Sequence, residues 1–106
     1  MAPKRRRVRR HASNEVQGEG SWVITAALNV AEMREYRKRA EEEDFDAFEM
    51  GIDVLKTHVY TWNWVGDDDA PFPQPEDDPG VMDLLTDDEV EFLSKCIQGD
   101  EAEAKN

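Results

Sequence analysis

The sequence predicts a mainly α-helical domain of three to four helices, carrying a short N-terminal β-strand and a Pro-rich extended arm. Three observations predict it. Three helix starts are built alike, apolar residues recur at spacings of three and four behind them, and the Tyr60–Pro75 stretch breaks the helical pattern. The starts are Leu28-Asn-Val-Ala-Glu-Met33, Phe45-Asp-Ala-Phe-Glu-Met50 and Leu85-Thr-Asp-Asp-Glu-Val90. In each, Asn29, Asp46 or Thr86 stands where a cap belongs, with Glu32, Glu49 or Glu89 placed to reach back to it. Each pair satisfies N–H groups that a helix otherwise leaves orphaned, and losing a cap costs about 1 kcal/mol.

In chain order, Met1–Arg10 holds six of the 13 Lys and Arg (Lys4, Arg5, Arg6, Arg7, Arg9, Arg10) and no acid. Its composition predicts a disordered arm, since like charges repel and little is there to bury. Deleting it should then leave folding intact. The arm reads as a nucleic-acid contact, a nuclear import signal or a solubilising tail. His11–Gly20 continues as a polar linker, so the chain divides into an arm and linker over 1–20, a helical domain over 21–99 and a polar tail over 100–106.

Ser21–Leu28 alternates, with Trp22, Ile24, Ala26 and Leu28 on one side and Val23, Thr25 and Ala27 on the other, which predicts a strand. Its only candidate partner lies around Val59–Val65. The first helix, Val30–Glu43, is mostly charged, with a thin stripe of Val30, Met33, Tyr36 and Ala40. The second, Ala47–Tyr60, carries Phe45, Phe48, Ile52, Leu55, Val59 and Trp62 at core spacing; His58 lies off that stripe and reads as solvated. Asp78 and Pro79 open a short helical turn that lays Val81, Leu84 and Leu85 inward, and Thr86 caps a last helix, Asp87–Gln98, stopped by Gly99.

Between these helices, Trp62 and Trp64 stand at i and i+2, which no helix face can share, so a helix ends here. Pro71, Pro73 and Pro75 lack N–H groups and hold residues 70–75 extended. Asp67-Asp68-Asp69 with Glu76-Asp77-Asp78 invites a calcium reading, but prolines occupy the middle and no glycine serves the turn. A solvated acidic loop is the reading retained.

At 106 residues the chain holds one domain; its polar ends leave an ordered part of about eighty residues, a size that buries only about 60% of its unfolded surface, which favours a partner or self-association. Beyond residue 10, seven bases face all 25 acids, a net −18 on the body against +6 on the arm. Such a body repels nucleic acid, and only the arm could attract it. The single cysteine, Cys96, fits a reducing compartment and a packed thiol. No apolar run approaches the roughly 20 residues that span a bilayer, and no apolar segment follows the basic start as a secretory signal would require. Nucleophile elbow, zinc spacing and phosphate loop are all missing, so no catalytic residue, cofactor or metal ligand is assigned, and the chain does not read as an enzyme.

The order of elements resembles the tail assembly chaperones of long-tailed bacteriophages and prophages over about Gly20–Gly99. The likeness rests on the strand leading into Leu28-Asn-Val-Ala-Glu32, Tyr60-Thr-Trp62-Asn63-Trp64 with its acidic turn and Pro-Phe-Pro, and Leu85-Thr-Asp-Asp-Glu89. Family turns often carry Asp-Gly before the first proline, where this chain has Asp69-Ala70. The resemblance implies a helical protein of the infected host's cytoplasm, absent from the finished virion. It would bind the tape measure protein, keep it soluble and help recruit tail tube subunits. Trp62, Trp64 and Phe72 are the expected contacts, against the alternative that tryptophans at a joint are core. Ala104-Lys105-Asn106 can be encoded by a slippery heptanucleotide, so the resemblance also suggests a frameshifted long form. The rival class is a small regulator whose basic arm binds nucleic acid while its acidic body binds a protein.

Overall fold

The structure, a computed structural model, describes residues 8–98. It corrects the fold class: the protein is mixed α/β, a three-stranded antiparallel sheet with five helical segments among the described residues. The elements run β1 (Val8–Ala12), α1 (Asn14–Gln17), β2 (Trp22–Ala26), α2 (Val30–Arg39), α3 (Ala47–His58), β3 (Val59–Trp62), a 3₁₀ helix (Pro79–Leu84) and α4 (Asp87–Gln98). The strands lie in the order β1-β2-β3.

Two misreadings account for the difference. The end of the basic arm and the linker are folded: Val8–Ala12 pairs with Trp22–Ala26 from Val8↔Ala26 to Ala12↔Trp22, and Ser13–Ser21 returns the chain. Alternation explains why charge permits this. Arg10 points to the open side of the sheet, its guanidinium 5.2 Å above the Trp22 ring, where cation and aromatic face attract. Like charges and a lack of apolar residues predict disorder over Met1–Arg10, of which Lys4–Arg7 lie outside the described residues. Deleting Met1–Arg10 therefore removes most of a strand. That deletion is expected to lower the melting midpoint by roughly 10 °C or more, since two or three ladder hydrogen bonds at about 1 kcal/mol each are lost and each kcal/mol shifts a domain this size by about 4–8 °C. Removing residues 1–7, which keeps β1 whole, should lower the midpoint less; equal melts for both truncations would contradict the role given to β1.

The second misreading concerns the end of the second helix. It stops at His58, and Val59–Trp62 becomes β3. Val59 and Trp62 are three apart, so helical spacing puts both inward, whereas a regular strand would turn them to opposite faces. A bulge resolves this: Val23 faces Trp62, Ile24 faces Thr61 and Thr25 faces Val59, leaving Tyr60 as the extra residue. Val59 and Trp62 therefore reach the same core from a strand.

That core lies between one sheet face and the helical layer. Val23, Val59 and Trp62 meet Ile52 and Leu55 of α3, Val81 and Met82 of the 3₁₀ helix, and Leu93 and Ile97 of α4. The 3₁₀ helix buries Val81 and Met82 rather than the expected Val81, Leu84 and Leu85; Leu84 is exposed and Leu85 half-buried. Asn29–Glu32 and Thr86–Glu89 form reciprocal capping boxes, while Asp46 caps α3 by accepting from Phe48 and Glu49 N–H.

α2 is shorter than predicted and buries none of its residues. Polar ties hold it to α3. Arg39 meets Asp53 at 3.0 Å, and Glu32 Oε1 lies 3.2 Å from His58 Nε2. His58 is thus buried rather than solvated, its Nδ1 3.0 Å from the Val54 carbonyl.

Candidate functional site

The Tyr60–Pro75 joint folds as a compact knot. Extended backbone turns alternate residues to one side, so the i, i+2 spacing that excludes a shared helix face brings Trp62 and Trp64 together on one side. Their rings stack 4.5 Å apart and 5° from parallel. Each indole N–H donates: Trp62 to the Pro73 carbonyl at 3.1 Å, Trp64 to Ser13 Oγ at 2.9 Å. Ser13 and Ser21 hydroxyls meet at 2.6 Å, and Ser21 donates on to the Gly18 carbonyl. This buried relay fastens the joint to the β1–β2 hairpin.

Beyond Trp64 the chain doubles back through a tight turn. Gly66 N–H donates to the Ala70 carbonyl, Asp69 N–H to Gly66 and Phe72 N–H to Trp64. The left-handed residue is Asp69 (φ 64), a conformation that aspartate tolerates better than most residues, so the turn forms without glycine at position 70. Gly66 is needed for closeness: a Cβ there would stand 3.1 Å from the Phe72 ring. Phe72 is half-buried and covers Trp62 at 6.1 Å.

Three side-chain amides complete the knot by imitating peptide groups. Gln17 accepts from Val65 N–H and donates to Val65 C=O; Asn63 accepts from Trp22 N–H and donates to Gly20 C=O; Gln74 does both with Trp62. Gln17 also donates to Glu89 at 2.7 Å, drawing α4 in. Gln17 and Gln74 are not legible in the sequence, because an amide side chain carries no periodic signal; Asn63 stands out only within Trp62-Asn63-Trp64.

The residues expected to touch a partner therefore divide. Trp62 and Trp64 are each 1% exposed and belong to the core, so neither offers contact area in this fold. Phe72 is spent largely on covering Trp62. Arg9 and Arg10 are exposed on β1, and Lys4, Arg5, Arg6 and Arg7 lie outside the described residues.

The apolar surface that does face solvent is elsewhere: Val30 and Met33 on α2, Phe48 on α3 and Leu84 on the 3₁₀ helix. Phe48, predicted as core, is 61% exposed because its stripe runs past the end of the core, whose α3 residues begin at Ile52. Beside it opens a groove of about 150 Å³ between α3, the 3₁₀ helix and α4, floored by Ile52, Met82, Leu85 and Val90 and edged by Glu49, Asp83 and Asp87.

Among the described residues no group of three or more His, Cys, Asp or Glu side chains is placed to hold a metal ion, and no helix is long and apolar enough to cross a membrane. No family model, curated protein or solved structure matches the chain.

Proposed function

We propose that this protein is a non-enzymatic tail assembly chaperone, which binds the tape measure protein in the host cytoplasm, helps recruit tail tube subunits, and leaves before the virion is complete. The observation that carries the reading is the exposure of Val30, Met33, Phe48 and Leu84 on an otherwise acidic body whose aromatic core is closed. Exposed apolar side chains give a long helical client something to bury against. The acidic surroundings keep the complex charged and soluble. The order of elements that carries the family resemblance supports the same reading.

Gene order and co-expression test it together. The gene is expected directly upstream of a very long, helix-rich reading frame, and co-expression should move that frame's product from the pellet to the soluble fraction as a complex. A neighbouring frame of that kind that stays insoluble with the chaperone present would overturn the assignment. The suggested long form depends on the codons of residues 104–106, outside the described residues; AAG for Lys105, AAT for Asn106 and no overlapping downstream frame would exclude it.

One observation favours the regulator reading: Arg9 and Arg10 stand exposed on β1, continuing the basic run. If the arm binds phosphates, affinity for labelled duplex DNA should fall steeply with salt and weaken sharply on removing residues 1–7, which takes away four of its six basic residues. Binding unchanged by that truncation would exclude the arm as the contact.

A further inference from the structure

We infer that the groove between α3, the 3₁₀ helix and α4 is a docking site for an amphipathic helix of the client, one with large apolar residues bordered by Lys or Arg. The inference rests on the chaperone reading and locates its contact away from the tryptophan joint. Phe48 supplies the wall. Its stripe on α3 continues beyond the last core contact, so 61% of the residue's surface stays in water although its spacing is that of a core residue. The floor is already built, with Ile52 and Met82 buried and Leu85 and Val90 half-buried. At about 150 Å³ the groove has the volume of a single side chain, with Phe48 as its apolar wall and the carboxylates making its exposed lining more polar than apolar. One inserted Leu or Phe side chain would fill it.

Charge states the rest of the occupant's chemistry. Every ionisable side chain lining the groove is acidic, namely Glu49, Asp83 and Asp87, and none of the three has an ion pair among the described residues. Glu49 and Asp87 sit in the first turns of α3 and α4, where the helix dipoles favour a negative charge. Asp83 adds a third on the 3₁₀ helix. A segment carrying Lys or Arg beside its apolar face would pair with this rim, whereas an acidic one would be repelled. Helix-in-groove binding places anchors at i, i+3 or i+4, which suits a short groove between helix ends.

The test uses the full chain and two labelled model helices, one built from Leu and Lys and the other from Leu and Glu with the same apolar stripe. The Lys helix is expected to bind, more weakly as salt rises, and the Glu helix is expected not to. Phe48→Ser should weaken binding tenfold or more with the melt unchanged, because the side chain is mostly exposed. Glu35→Ser, an exposed site on α2 outside the groove, should leave binding as it was. Glu49→Lys with Asp83→Lys should reverse the preference between the two helices. Equal binding of both helices, or equal loss from Phe48→Ser and Glu35→Ser, would overturn the proposal. So would sedimentation showing the groove filled by a second copy, as a dimer that Phe48→Ser dissolves.

Co-expression separates this from the parent reading. A client held soluble by wild type and equally by Phe48→Ser overturns the groove and leaves the chaperone function standing. A client that wild type fails to hold overturns the function, while the model helices still decide the groove.

Discussion

Trp64→Ala is expected to cost about 3–5 kcal/mol, the range for truncating a buried aromatic, and so to bring a domain of ordinary stability close to unfolding. The ring is 1% exposed, stacks on Trp62 at 4.5 Å and touches the α4 layer through Phe92 at 6.4 Å. The substitution also strips Ser13 Oγ of its indole donor, inside a buried relay that reaches Ser21 and Gly18. Trp64→Phe should cost less, because an aromatic ring remains to stack while the N–H is lost. Denaturant melts of the three proteins check the order, and loss of near-ultraviolet dichroism with the alanine variant would report the broken stack. An unchanged midpoint for Trp64→Ala would mean that the ring is surface. The same logic applies to Trp62→Ala, so client capture lost through either tryptophan is expected to follow unfolding rather than a missing contact.

The parts of the fold legible in the sequence were those governed by local chemistry. Asn29, Asp46 and Thr86 cap the helices they were read to cap, because a cap needs only residues within one turn of each other. The alternation of Ser21–Leu28 contains β2, which pairs with β3 at the candidate stretch around Val59–Val65 and, on its other edge, with β1, so that stretch is not its only partner. What escaped was long-range. Arg9 and Arg10 of β1 alternate between the two faces of the sheet and both stay exposed, and nothing within Val8–Ala12 announces a hairpin; the signal is the complementary Trp22 face under Arg10. The bulge at Tyr60 lets Val59 and Trp62 satisfy a helical stripe and a strand at once, so periodicity could not separate them. For the candidate surface the error ran the other way. Core spacing made Phe48 look buried, because spacing reports which side a residue faces and not where the core ends, whereas Trp62 and Trp64 took the core alternative that a joint of large rings had offered beside the contact reading.

Gln74→Leu is the sharper test of what closes the sheet. β3 would otherwise present an unpaired edge, and the segment beside it carries Pro71, Pro73 and Pro75, which cannot donate to a ladder. Gln74 supplies the missing peptide group from its side chain. Its Oε1 accepts from Trp62 N–H at 3.0 Å and from the Thr61 hydroxyl, its Nε2 donates to Trp62 C=O at 2.9 Å, and Glu76 N–H adds a bond to Tyr60 C=O. Leucine has similar bulk and no polar atom, so it strands the Trp62 donor and acceptor together. At about 1–3 kcal/mol for each unsatisfied buried group, and with the site only partly buried, the expected loss is about 2–4 kcal/mol. Gln74→Glu separates the two halves of the amide. It keeps the acceptor but sets a carboxylate oxygen against the Trp62 carbonyl, and only its protonated form can donate there. The folded state therefore favours the protonated acid and raises that group's pKa above its unfolded value, near 4.3 for an ordinary glutamate. The stability so gained is fully present below the unfolded pKa and is lost as pH rises through the folded one. Against wild type at each pH, Gln74→Glu should fall well short at pH 7 and recover part of the difference toward pH 4, while Gln74→Leu keeps a constant deficit. Parallel deficits for the two variants across that range would show that Gln74 acts by packing and that the β3 edge is not held by its amide.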